Sequence, residues 1–428
     1  MAHNADVATG NPDPEVTERL GRFTRTRDPR ALWPDLTESA SAEARLAIEH
    51  VVRAVLAGET HVVLDAHGKD AIYALTVAGF TMGCGPLLGR WMKDGRVQSP
   101  PAVQDVFADQ LEHGRRRFER MQRGVLPAFD ALLARGITPV AIKGFHLALA
   151  YHEEPGVRPM TDVDVVVPAT SVADAEAALE ASAFLPTSPM SRPYRRNWKA
   201  ADVDPRAFSL ERTDARSRWQ LEVHESFNRP FPNEYYARLD SEQHRVAPID
   251  VAGRTILAPV QPLLFLVLAC HLSSELGTVR LMRLIDLVRV VRADRANGTL
   301  DWVEVMTAFQ RTSAARFTYP AMAMAEDLAP GTIDLRALEV ARKASTWGVR
   351  HTVKRIVPRG GSLERTSLIT MFMWDTNPLD IALNAIGKLA RSALRRGAGI
   401  AEWRALLRRL RSGALSVGAP DERNGLKL

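Results

Sequence analysis

The stretch Thr161-Asp162-Val163-Asp164-Val165-Val166-Val167 constrains this chain more than any other. Valines fill it and Pro168 stops it, so it reads as a strand. Side chains alternate faces along a strand, so Asp162 and Asp164 point the same way while Val163 and Val165 point into a core. Two carboxylates that converge like this repel unless one takes a proton or a cation joins them. A divalent ion that prefers hard oxygen ligands, Mg²⁺ or Mn²⁺, removes that cost. Further along, Gln220-Leu221-Glu222-Val223-His224 alternates in the same way, within a strand expected over 219–224. Residues 220, 222 and 224 then share one face. Glu222 completes a three-carboxylate metal set with Asp162 and Asp164, or helps to deprotonate an acceptor. His224 suits a metal ligand, a base or a phosphate contact.

The residues upstream fit the same chemistry. The run 137–142 reads as a short strand, followed by Lys143-Gly144 and an apolar helix over 145–151. Glycine at that junction allows close backbone approach, and a helix N-terminus favours anions. Glu153-Glu154-Pro155-Gly156 is a turn by composition. Arg158, four residues before Asp162, carries a planar donor fork suited to a triphosphate. Ser171 with Asp174 resembles a capping box that opens a helix over 172–182. The basic stretch 192–199 reads as a loop. A lone Asp-x-Asp is weak: a second copy, Asp202-Val203-Asp204, runs into Pro205 in a polar loop and carries no weight. The ordered series of strand, Lys-Gly, helix, turn, Arg-x-x-x-Asp-x-Asp and apolar strand is the specific part.

On both sides the pattern is helical. Leu46, Val51, Val52, Val55 and Leu56 recur at helical spacing, as do Leu111, Phe118, Met121, Val125, Phe129 and Leu132, and Gly136 sits where a C-cap would. The expected organisation is a flexible arm (1–35), an N-terminal helical region (36–135), an α/β core (136–258) and a C-terminal helical region with a basic tail (259–428). The fold class is therefore α+β, a small mixed sheet flanked by two helical regions. From residue 340 onward there are 17 Lys/Arg and 6 Asp/Glu, so the tail is basic although the whole chain is only +6. Trp403, Leu406, Leu407 and Leu410 form an apolar stripe opposite Arg404, Arg408 and Arg411. The uncharged runs 71–89 and 258–272 read as core helices rather than spans: glycines break the first, and the second is too short. The two cysteines, Cys84 and Cys270, match no metal or redox spacing, and no secretory leader is apparent, so a reducing cytoplasm is the expected location.

With these residues in hand, 140–151 and 158–167 resemble the bacterial uncharacterised nucleotidyltransferase family, within the polymerase-β-like nucleotidyltransferase superfamily. Its pattern is Lys-Gly, then Arg-x-x-x-Asp-h-Asp, then a strand ending acidic-x-His, matched here by Glu222-Val223-His224. A later His and an Arg/Leu/Asp cluster are matched by His271 and Arg283-Leu284-Ile285-Asp286. Read without the resemblance, His271 is a helix-end histidine bonded to backbone, and Arg283 with Asp286 is an i, i+3 ion pair. The resemblance spans about residues 120–295. It implies transfer of a nucleoside monophosphate from an NTP donor to a small-molecule or peptide acceptor, in natural-product or polysaccharide biosynthesis. The implied site holds metal at Asp162, Asp164 and Glu222 and phosphate at Lys143, Gly144 and Arg158. Two departures stand out. Gly144 is followed by Phe145 where the superfamily has serine, and the third acid is Glu222 where aspartate is commoner.

Two other readings stay open. The same fold can serve other phosphoryl-transfer or hydrolytic chemistry. It can also be a non-catalytic nucleotide- or anion-binding module, recruited by Lys388, Arg391, Arg395 and Arg396 of the tail to RNA or to an anionic membrane surface. The tail has no glycine-rich or aromatic RNA-binding signature, which disfavours nucleic acid and leaves the membrane surface as the alternative partner.

Overall fold

The computed structural model describes residues 18, 19, 22, 29–188, 195–200, 219–232, 235–276, 280–354 and 373–375. Most of the arm expected over 1–35, the second Asp-x-Asp and the arginine-rich stripe around Trp403 lie outside the described residues.

The N-terminal helices form because each hides one apolar face. Helix α1 (Glu38–Ala57) starts where the Thr37 side chain accepts the N–H of Ala40 and stops at Gly58, which takes φ 85°. Ala44, Ile48, Val51, Val52 and Val55 make its buried face. Leu46, expected on that stripe, is 44% exposed. It stands two residues from both Ala44 and Ile48, about 200° round the helix, and so points outward. Helices α2 (Lys69–Met82) and α3 (Gly85–Lys93) account for the uncharged run 71–89; they meet at a 113° bend. Leu75, Val77, Met82, Leu87 and Leu88 are all buried. Among the described residues no single helix is long and apolar enough to cross a membrane. Helix α4 (Pro101–Ala134) follows, 34 residues and so about 50 Å long. Gly89 lets α3 cross it closely, since a Cβ there would lie 2.2 Å from the Phe107 carbonyl oxygen.

The sheet begins with β1 (Val140–Ile142), which runs into helix α5 (Lys143–Ala150). Next come β2 (Asp162–Val166), helix α6 (Val172–Ala181), β3 (Phe184–Pro186), β4 (Arg195–Ala200) and β5 (Gln220–His224). A small hairpin, Arg229–Phe231 with Tyr235–Ala237, precedes β6 (Val246–Val251) and β7 (Arg254–Pro259). The spatial order is β6-β7-β1-β2-β5-β4-β3. The pairs β7·β1 and β2·β5 are parallel and the other four are antiparallel. This is a mixed sheet in an α+β fold.

Two details differ from the sequence reading. The basic stretch 192–199 was expected to be a loop, but Arg195–Ala200 is strand β4 and lies against β5. Its only large apolar residue is Trp198, fully buried, so the alternation that marks a strand is nearly silent. The capping box at Ser171 is absent. A 3-10 turn, Ala169–Ser171, leads into α6, and Ser171 at φ −104°, ψ 4° makes no side-chain cap bond. A capping serine needs extended backbone.

The sheet separates two cores. On one face, Val163, Val165, Leu221, Val223 and Trp198 pack on Phe118, Met121, Val125, Phe129 and Leu132 of α4 and on Ala178 and Leu179 of α6. On the other, Val140, Ile142 and Val166 join a larger cluster built with the N-terminal helices and with α7 (Leu263–Ser274), α8 (Leu281–Ala296), α9 (Trp302–Thr312), α10 (Ala315–Leu328), α11 (Leu335–Ala344) and α12 (Trp347–Val353). The polar residues of β2 and β5 therefore lie on the face that looks toward these C-terminal helices.

Candidate active site

Register brings the acids together. In the parallel pair β2·β5, Asp164 sits opposite Glu222, Asp162 opposite Gln220 and Val166 opposite His224. Ligand atoms of Asp164, Glu222 and His224 all fall within 4.8 Å of one another. His224 Nε2 is 3.2 Å from Asp164 Oδ1 and 3.1 Å from Glu222 Oε1. Asp164 is 4% exposed and Glu222 is fully buried. Asp162, one register step away and more open, is outside that group. Two carboxylates and an imidazole that converge this closely are a ligand set that fits a divalent cation, with oxygen ligands for Mg²⁺ or Mn²⁺ and an imidazole that Mn²⁺ takes more readily.

Cations of the chain itself surround the acids. Lys143 Nζ donates to Asp164 Oδ1 at 2.6 Å, and both residues are buried. Lys143 reaches it from a left-handed backbone, φ 54°, at the junction of β1 and α5. That conformation costs a lysine about 1–2 kcal/mol, which the buried charge-assisted bond offsets. Arg195 pairs with Glu222 from β4, where it stands opposite His224. Burial works against the charge of Arg195, yet Glu222, Asp164 and Asp162 together hold its pKa above the usual arginine value. The sequence reading missed Arg195 because it misjudged the strand that carries it.

Arg158 and Gly144 have a different arrangement from the one expected. Arg158 Nε donates to Asp286 Oδ2 at 2.9 Å, and its Nη2 lies 2.8 Å from the same oxygen. His152 Nε2 holds the other oxygen at 2.9 Å. Asp286 thus pairs with Arg158 and His152, not with Arg283 at i, i+3. The space above Gly144 is filled by the same guanidinium, since a Cβ at 144 would lie 2.4 Å from Arg158 Nη1 and 3.0 Å from Met160 Sδ. Gly144 therefore makes room for Arg158. Gly144→Ala is expected to dislodge Arg158 and to cost about 1–3 kcal/mol, read as a lower urea midpoint. An alanine variant as stable as wild type would show that Arg158 does not depend on that gap. Phe145, in the position where the superfamily has serine, is buried and stacked on Phe118 at 5.8 Å. No hydroxyl is offered there.

The opposite wall comes from the hairpin and from the junction of α7 and α8. Arg229 Nε donates to Ser274 Oγ at 2.8 Å, and its Nη2 donates to Glu275 Oε1 at 3.0 Å. Arg283 pairs with the other oxygen of Glu275. His271 Nδ1 is buried without a hydrogen-bond partner, 3.7 Å from Glu275 Oε1, so the backbone bond expected of this helix-end histidine is not made through Nδ1. Burial, and then the charge of Arg229, push its pKa well below the usual histidine value. Cys84 and Cys270 are buried and free, and burial pushes the Cys84 thiol up to about 12 and that of Cys270 up as well, so neither is primed as a nucleophile.

A mixed sheet that presents an Asp-x-Asp strand beside an acidic-x-His strand, with helices packed on both faces, defines a nucleotidyltransferase-type core. The chain belongs to the uncharacterised nucleotidyltransferase family, whose model matches residues 79–330. It is a transferase-type enzyme, and the acidic and histidine cluster lies inside the matched region. No curated protein and no solved structure matches the chain.

Proposed function

We propose that this enzyme transfers a nucleoside monophosphate from an NTP to a hydroxyl or amine of a small molecule or peptide, as a step of natural-product or polysaccharide biosynthesis in the cytoplasm. The observation that carries the reading is the convergence of Asp164, Glu222 and His224 on adjacent parallel strands, with Asp162 beside them. These residues would hold Mg²⁺ or Mn²⁺. Such an ion supplies charge neutralisation at phosphoryl oxygens and orientation of the attacking group. The acceptor oxygen or nitrogen forms a bond to the α-phosphorus, and the bond to the β-phosphate breaks. Pyrophosphate leaves, and the acceptor proton passes to a carboxylate beside the cluster. Asp162, the most open of the acids, is the one best placed to take it. Arg195 pairs with Glu222 and holds it in position.

The test is intact-product mass spectrometry with Mg²⁺, each of the four NTPs and candidate acceptors, beside an Asp162→Asn/Asp164→Asn control. A nucleotide-sized mass gain that the control lacks is the expected result. Failure to consume any NTP with any acceptor would remove the proposal. The burial of Phe145 where a phosphate-contacting serine would stand favours one second reading, another phosphoryl transfer or a hydrolysis on the same fold. A gain of phosphate alone, or a loss of mass, would select it.

A further inference from the structure

The chain holds more positive charge near the acids than its own carboxylates match. Lys143 has Asp164, and Arg158 has Asp286. Arg229 and Arg283 share the single carboxylate of Glu275, one oxygen each. Arg280 stands one turn before Arg283 at the start of α8 and makes no ion pair among the described residues. The side chains of Arg229 and Arg283 are only 16% and 24% exposed. Guanidiniums withdrawn from water with too few counter-anions are costly unless an anion joins them.

These arginines are electrostatically coupled to the acids of the sheet. Burial opposes the charge of Arg283, while Glu275 and then Asp162 and Asp164 hold its pKa up. Burial and Arg283 push Arg280 down to about 10, against the pull of Glu275 and Asp162. Arg229 is pushed down by burial, with Glu275 and Glu222 pulling the other way and Arg195 and Arg283 adding to the depression. The two groups of opposite sign lie near each other, on the side of the sheet against which the hairpin, α7 and α8 pack. A divalent ion on the acids would make this region more positive still. The positive end of the α8 dipole adds to Arg280 and Arg283.

We propose that Arg229, Arg280 and Arg283 form the wall that receives the polyphosphate of the donor, and that phosphate oxygens displace the Glu275 carboxylate which Arg229 and Arg283 share. This rests on the nucleotidyl-transfer reading, and it moves phosphate recognition from Lys143 and Arg158, each matched within the fold, to the helical region. The site recognises a chain of phosphates rather than a single one, because its three guanidiniums come from two separate elements. Planar guanidinium forks suit bidentate contact with successive phosphates.

The test is calorimetric titration of the full chain with an NTP, the matching NMP and inorganic tripolyphosphate, in Mg²⁺. NTP and tripolyphosphate should bind at least about tenfold more tightly than NMP, and Arg280→Gln or Arg283→Gln should each weaken NTP by about tenfold while changing NMP little. Glu275→Gln should act in the opposite direction and tighten tripolyphosphate, a result that a merely structural role for the glutamate would not give. If the arginine variants bind NTP like wild type, or if Glu275→Gln loosens tripolyphosphate, the wall is wrong. Should the enzyme transfer nucleotide while Arg280→Gln and Arg283→Gln bind normally, the transferase reading survives and this inference does not. Arginine-dependent binding of tripolyphosphate without any transfer would leave the inference standing and remove the transferase reading.

Discussion

Asp164→Asn is expected to abolish transfer and to destabilise the fold, and the two effects can be separated. Loss of a metal-holding carboxylate removes several kcal/mol of transition-state stabilisation, or about 10³-fold in rate. Asp164 is also the partner of a buried ammonium, since Lys143 Nζ lies 2.6 Å from its Oδ1. Asparagine would leave that ammonium poorly matched, at a cost of about 3 kcal/mol. Replacing both charges removes the mismatch, so Lys143→Met/Asp164→Asn should regain most of the stability and none of the activity. Urea denaturation with a parallel activity assay reads both quantities. An active Asp164→Asn enzyme would exclude Asp164 from the chemistry. A double variant no more stable than the single would mean that the ion pair is not what the loss reports.

Asp286→Asn should produce the largest loss of stability among variants away from the metal-holding cluster. The carboxylate is 3% exposed and holds Arg158 and a fully buried His152. Breaking such a network by removing the shared partner costs about 3–5 kcal/mol, and it frees Arg158 from its place over Gly144. Burial alone would raise the pKa of Asp286, but the charge of Arg158 and the bond from His152 bring it below the ordinary aspartate value. A folded-state pKa below the unfolded one means that this contribution is complete above about pH 4. It drains away as the pH falls through the folded value. The gap between wild type and Asp286→Asn, measured by denaturant melts at several pH values, should therefore be constant near neutrality and shrink in acid. A gap that widens in acid would contradict the assignment.

Legibility followed the strength of local patterns. Strands β2 and β5 are readable because valine and leucine alternate with acids, which puts Asp162 with Asp164 and Glu222 with His224; the parallel pairing of the two strands joins the two sets on one face. The junction at Lys143-Gly144 was readable from the change in texture. Strand β4 was not, because Arg196 and Ala200 share its core side with Trp198 and leave one apolar residue to carry the pattern. Strands β6 and β7 were also missed; Pro248, Asp250 and half-exposed positions blur their period. Arg158 reads in the sequence as a phosphate contact, but its partner in the fold, Asp286, lies 128 residues on, and no local rule reports such a pairing. Arg229, Arg280, Arg283 and Glu275 meet only through the packing of a hairpin against two helices.

The long helix α4 belongs to both cores. Its first half gives Val103, Phe107 and Leu111 to the helical cluster, and its second half gives Phe118 to Leu132 to the layer beneath the sheet. It therefore acts as a beam common to two rooms, and neither room can be dismantled without exposing the other. The kinship with the family begins at residue 79, inside α2, whereas the packing reaches back through α1. The inherited unit and the folding unit of this chain thus have different borders. A fragment trimmed to the inherited border would keep every residue named at the site and yet lose α1 and most of α2, whose buried faces belong to the helical cluster.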